Sequence, residues 1–73
     1  MDIDKIGEAA GEVWRALHNW HALSGIDEGM TIGRLKHATN VPDTLLHEAL
    51  GWLAREGKIR FSGKGRSRRV FLI

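Results

Sequence analysis

The stretch SGKGRSRRV, residues 62–70, gathers Lys64, Arg66, Arg68 and Arg69 within six residues. Gly63 precedes them, Gly65 and Ser67 lie between them, and no acid is among them. Cations set this close repel one another, and phosphate oxygens are the partner that suits guanidinium and ammonium groups best. Glycine lets such a loop turn sharply and approach another backbone closely. From Lys58 to the end of the sequence there are six cations and no acidic side chain, so Lys58 and Arg60 extend the same field. The competing reading is a solvated hairpin whose charges keep a small sheet from pairing edge to edge. Four adjacent cations exceed what that protection needs.

Other chemistries find less support. His18 and His21 are three apart and could share a metal, but no third ligand accompanies them. Ser24, Ser62 and Ser67 sit among glycines with no base beside them. SGKGRS lacks the spacing of a phosphate-binding P-loop and does not open a helix. The acids near the start fall on the polar side of a helical pattern, where a carboxylate does little acid–base work. There is no cysteine, which excludes disulfides and thiolate zinc sites. The expectation is a protein that is not an enzyme and takes no cofactor or metal.

The charge is uneven along the chain. Residues 1–30 hold two Lys or Arg against six acids, a net −4, and residues 31–73 hold nine against three, a net +6. Such a split points the C-terminal half at a polyanion. With 73 residues, 42% of them hydrophobic and one proline, the expectation is one small domain over 1–73. No apolar run approaches the roughly 18 residues that span a membrane. The opening MDIDKIGEAAGEVW is acidic and amphipathic, unlike a signal peptide. A cytoplasmic protein of prokaryotic type is expected.

These residues need elements to hold them. Ile3, Ile6, Ala10, Val13 and Leu17 recur at spacings of three and four, which predicts a helix over about 3–21. Asp2 or Asp4 can cap it. LSGIDEG breaks the pattern, and MTI at 30–32 reads as a short strand, with Thr31 a candidate cap for a second helix over 33–39. NVPD is a turn, and Pro42 suits the start of a third helix over about 43–56, stopped by Gly57. Its core stripe is Leu46, Leu50 and Leu53, flanked by Leu45, Ala49 and Trp52. Ile59 and Phe61, then Val70 and Leu72, alternate with other residues and predict a β-hairpin. Trp14 and Trp52 are expected in the core, and Trp20, at the end of the first helix, is a candidate interface anchor. Gly7 and Gly11 allow close packing of the first helix, across a homodimer in particular.

Helix, short strand, helix, turn, helix and basic hairpin is the order of a winged helix-turn-helix, an α+β fold with three helices and a small C-terminal wing. ATNVPDTLLHEALGWLAREGKIRF adds a resemblance. Together with IGEAAGEVW and LKHAT, it resembles a family of small bacterial winged helix-turn-helix domains, largely of unknown function. The resemblance implies the fold more firmly than the task. The third helix would then be the recognition helix, and it offers Asp43, Thr44, His47, Glu48 and Arg55 rather than the Arg, Lys, Asn or Gln usual at base edges. Asp43 also suits the helix dipole.

The leading expectation is a DNA-binding protein, a small transcriptional regulator or accessory nucleic-acid binder. Lys58, Arg60, Lys64, Arg66, Arg68 and Arg69 would meet phosphates, and Thr44, His47 and Arg55 would probe a major groove. Arg34 and Lys36 add positive charge in the second helix. The expected partners are double-stranded DNA and a second copy bound through the first helix. The alternative is a protein-interaction module on the same scaffold, favoured by the acids of the third helix.

Overall fold

The computed structural model describes residues 3–24, 29–65 and 68–73. Helix α1 runs Ile3–Ser24, strand β1 Met30–Thr31, helix α2 Ile32–Ala38, helix α3 Asp43–Arg55, strand β2 Ile59–Ser62 and strand β3 Arg69–Leu72. The chain therefore folds as a mostly helical winged helix with a small antiparallel sheet. Helix α1 extends beyond residue 21 because His21, Ala22 and Leu23 contain no breaker, and Ala and Leu are strong helix formers.

The sheet order is β1-β3-β2, so β3 is central. Phe61 lies opposite Val70 and Ile59 opposite Leu72 in the hairpin, and Met30 lies opposite Val70 from the other side. The MTI strand thus does more than lead into α2: it completes the sheet.

The core lies where α1 and α3 cross and the sheet closes over them. Val13, Leu35, Leu46 and Val70 are fully enclosed, one from each of α1, α2, α3 and β3. Ala9, Ala10, Leu17, Ala49, Leu50, Leu53 and Ile59 complete the packing. The stripes predicted for α1 and α3 hold, with two kinds of exception.

Ile3, at the exposed start of α1, is 64% exposed instead of buried. Trp14 and Trp52 are each 38% exposed and do not belong to the core. Each follows or precedes a core residue by one position, Val13 and Leu53, so the helix turns it about 100° away. Trp20, a candidate interface anchor, is partly buried against the core, with the Arg34 guanidinium 4.9 Å from its ring centroid.

Gly29, just before β1, lies close against β3. A Cβ there would lie 2.7 Å from the Val70 carbonyl oxygen and 3.0 Å from two Phe71 ring carbons. Gly29→Ala is expected to cost about 1–3 kcal/mol through forced repacking. A lower urea midpoint with an unchanged slope would show it.

Candidate nucleic-acid interface

The helix-turn-helix is held by local hydrogen bonds. Thr31 caps α2, its Oγ1 accepting from the Arg34 N–H at 3.2 Å. At the other end Thr39 is buried, and both its N–H and its hydroxyl donate to the Leu35 carbonyl, at 3.0 and 2.8 Å. The turn then delivers Pro42, whose carbonyl accepts from Leu46 N–H at 2.8 Å. Proline fits there because its backbone offers no N–H to be orphaned.

Asp43, Thr44, His47, Gly51 and Arg55 lie exposed on α3, with Glu48 half-buried. The carboxylate that would repel phosphates has a local partner: Lys36 Nζ stands 2.7 Å from Asp43 Oδ1. Both side chains are well exposed, so this pair adds about 0–1 kcal/mol to stability. Its larger consequence is electrostatic, since it offsets the negative charge at the start of α3. His47 Nδ1 lies 2.8 Å from the Asp43 carbonyl oxygen. A carbonyl only accepts, so Nδ1 carries the proton in this bond, which leaves Nε2 free of it.

Arg55 is placed differently from the wing cations. With Glu48, Gly51, Trp52 and Glu56 it lines a groove that reaches Ile6 of α1. Sequence order alone does not show this.

The wing turns on Gly63 and Gly65, with φ of +88° and +57°, a region that side chains disfavour. Arg68 N–H donates to the Gly65 carbonyl at 3.2 Å. Lys64 and Arg68 are exposed. Arg66 and Ser67 lie outside the described residues, so the expected role of Arg66 has no structural account. The described cations are less free than the sequence implies. Arg68 sits 4.8 Å from the Phe61 ring centroid and Arg60 4.2 Å from that of Phe71. Lys58 Nζ is 3.4 Å from Glu56 Oε2. Arg69 is half-buried, and its Nη1 donates to the Gly29 carbonyl at 2.8 Å, which ties the wing base to β1.

By sequence Arg34 is only added charge on the second helix. It lines a cavity of about 330 Å³ with Arg69, Thr31, Gly29 and Trp20. Two guanidiniums from α2 and β3 thus border one hollow beside the wing base. The signal in the sequence is Arg34 three residues after its own cap, Thr31, but its nearness to Arg69 comes from the β1–β3 pairing. Among the described residues, no group of three His, Cys, Asp or Glu could hold a metal ion, and no helix is long and apolar enough to cross a membrane.

A family model described as Winged helix-turn-helix domain (DUF2582) matches residues 1–72. No curated protein and no solved structure matches the chain.

Proposed function

Because the chain belongs to that winged helix-turn-helix family, we propose that it binds double-stranded DNA as a single domain. It acts by binding and not by catalysis, as a small bacterial transcriptional regulator or accessory nucleic-acid binder in the cytoplasm, and it works as a homodimer joined through α1. Phosphates are met by Lys58, Arg60, Lys64, Arg66, Arg68 and Arg69, joined by Arg34. Thr44, His47 and Arg55 face base edges.

The observation that carries this reading is the basic hairpin: exposed Lys64 and Arg68 on a glycine-hinged turn, with Arg60 and Arg68 braced on aromatic rings. Phosphate contacts fix register and supply affinity, whereas base edges supply sequence choice. His47 Nε2, the ring nitrogen not engaged with the Asp43 carbonyl, is the atom left to meet a base edge in the major groove.

A second reading, a protein-interaction module, is favoured by Glu48 on the outer face of α3 and by the lack of Arg, Lys, Asn or Gln in its first two turns. A titration with random duplex DNA separates the two. Micromolar or tighter binding at low salt, falling steeply as salt rises, is expected for the DNA reading. No binding at low salt overturns it.

A further inference from the structure

Helix α3 opens with a carboxylate at the place where helix-turn-helix proteins touch base edges. Asp43 is its first residue, and the side chain is 63% exposed. His47 stands one turn further on, so the two share a face, and the bond from Nδ1 to the Asp43 carbonyl draws its ring back towards Asp43. Thr44, also exposed, lies between them. Among the described residues, the partner of the Asp43 carboxylate is Lys36 of α2, whose Nζ meets Oδ1 at 2.7 Å. The second oxygen, Oδ2, remains for a donor from outside.

A bare carboxylate in a groove walled by phosphates is repelled. Lys36 changes that balance. It reaches Asp43 from the other helix of the motif, across the turn, and the pair carries no net charge. What a screened carboxylate can recognise is narrow, because it only accepts hydrogen bonds. Guanine and thymine present acceptors in the major groove and oppose it. Adenine presents an amino group beside N7, whose lone pair opposes the second carboxylate oxygen. Cytosine presents an amino donor with no acceptor next to it.

We propose, on the DNA reading above, that Asp43, held and screened by Lys36, accepts from the exocyclic amino group of a cytosine and so sets sequence preference at one base pair. Asp43 is then a specificity-determining residue and Lys36 its positioning residue. The acid at the start of α3, which counts against DNA when charge alone is summed, becomes a source of selectivity. A carboxylate that served only the helix dipole would leave sequence choice untouched.

Enrichment of a random duplex pool by the full chain, followed by sequencing, tests this. Wild type is expected to enrich duplexes with cytosine at one fixed position, preferred over the other bases by roughly 5- to 150-fold. Asp43→Asn should move that position to adenine, because an amide pairs with N6 and N7 together, and should leave the other positions as they were. Asp43→Ala should bind without preference there. Thermal melts of the variants check that each is folded. Lys36→Ala should keep cytosine but bind every duplex more weakly at low salt, and that loss should disappear in an Asp43→Asn background. Cytosine retained by Asp43→Asn, or a wild type with no preference at any position, overturns the proposal and leaves DNA binding standing. An equal Lys36→Ala loss in both backgrounds overturns the screening role, since Lys36 would then act on phosphate by itself. A wild type that binds no duplex at low salt overturns the proposal and the DNA reading together.

Discussion

Leu46→Ala is expected to destabilise the protein by about 2–5 kcal/mol. Leu46 is fully enclosed, at the point where α3 meets the core residues of α1 and the sheet. Removing its isopropyl end leaves a void in the packed core. A domain of this size holds on the order of 4–10 kcal/mol in total, so the loss takes a large share of it. Thermal melting should fall by roughly 10 °C or more. Trp52→Ala provides the contrast. Its indole is the larger group, yet it stands 38% exposed, and its removal should cost clearly less. Equal losses at the two positions would mean that α3 is rotated from the register described above.

Removing two wing cations should change the salt dependence of DNA binding more than any other surface substitution. Each phosphate neutralised releases condensed counterions, and the slope of log affinity against log salt changes by about 0.9 per contact. Lys64→Ala with Arg66→Ala is therefore expected to reduce that slope by about 2, with weaker binding to every sequence. Single Arg66→Ala should lose somewhat more on A·T-rich duplexes, whose narrow minor groove attracts arginine. Thr44→Ala and His47→Ala should alter sequence preference and leave the slope nearly intact. Arg69→Ala belongs to neither group: it also breaks the hydrogen bond to Gly29, so its stability falls together with its affinity. Salt-dependent titrations of the folded variants decide the matter, and equal slopes for wild type and the double variant would take the wing off the DNA.

What the sequence makes legible here is what depends on near neighbours. The three- and four-residue spacing of Ile6, Ala10, Val13 and Leu17 encodes α1, and the alternation of Ile59 and Phe61 encodes β2. Thr31 as a cap and Gly57 as a stop are equally local, and Gly57 has a φ of +70°. What hydrophobicity hides is angle: tryptophan reads as core by type, yet Trp14 and Trp52 stand one residue from the core stripe and face outward. What separation hides is pairing. Met30 meets Val70, and Arg69 bonds to Gly29, across about forty residues of chain. No periodicity links such positions. For the same reason Lys36 beside Asp43, and Arg34 in one hollow with Arg69, emerge only once α2 and the sheet are in place.

The rings beneath the wing arginines bear on the thermodynamics of docking. An unattached arginine surrenders about 2 kcal/mol of rotamer freedom when it is fixed. Arg60 over Phe71 and Arg68 over Phe61 each have a ring contact that favours one placement of the side chain. Stacking occupies the flat face of a guanidinium, and its N–H donors lie in the plane, at the edge, where an oxygen can still reach them. Less disorder remains to be quenched when a ligand arrives, so more of the gross attraction survives as net affinity. On the DNA reading, the two phenylalanines serve recognition without touching the ligand: they help to place two of the cations before the encounter.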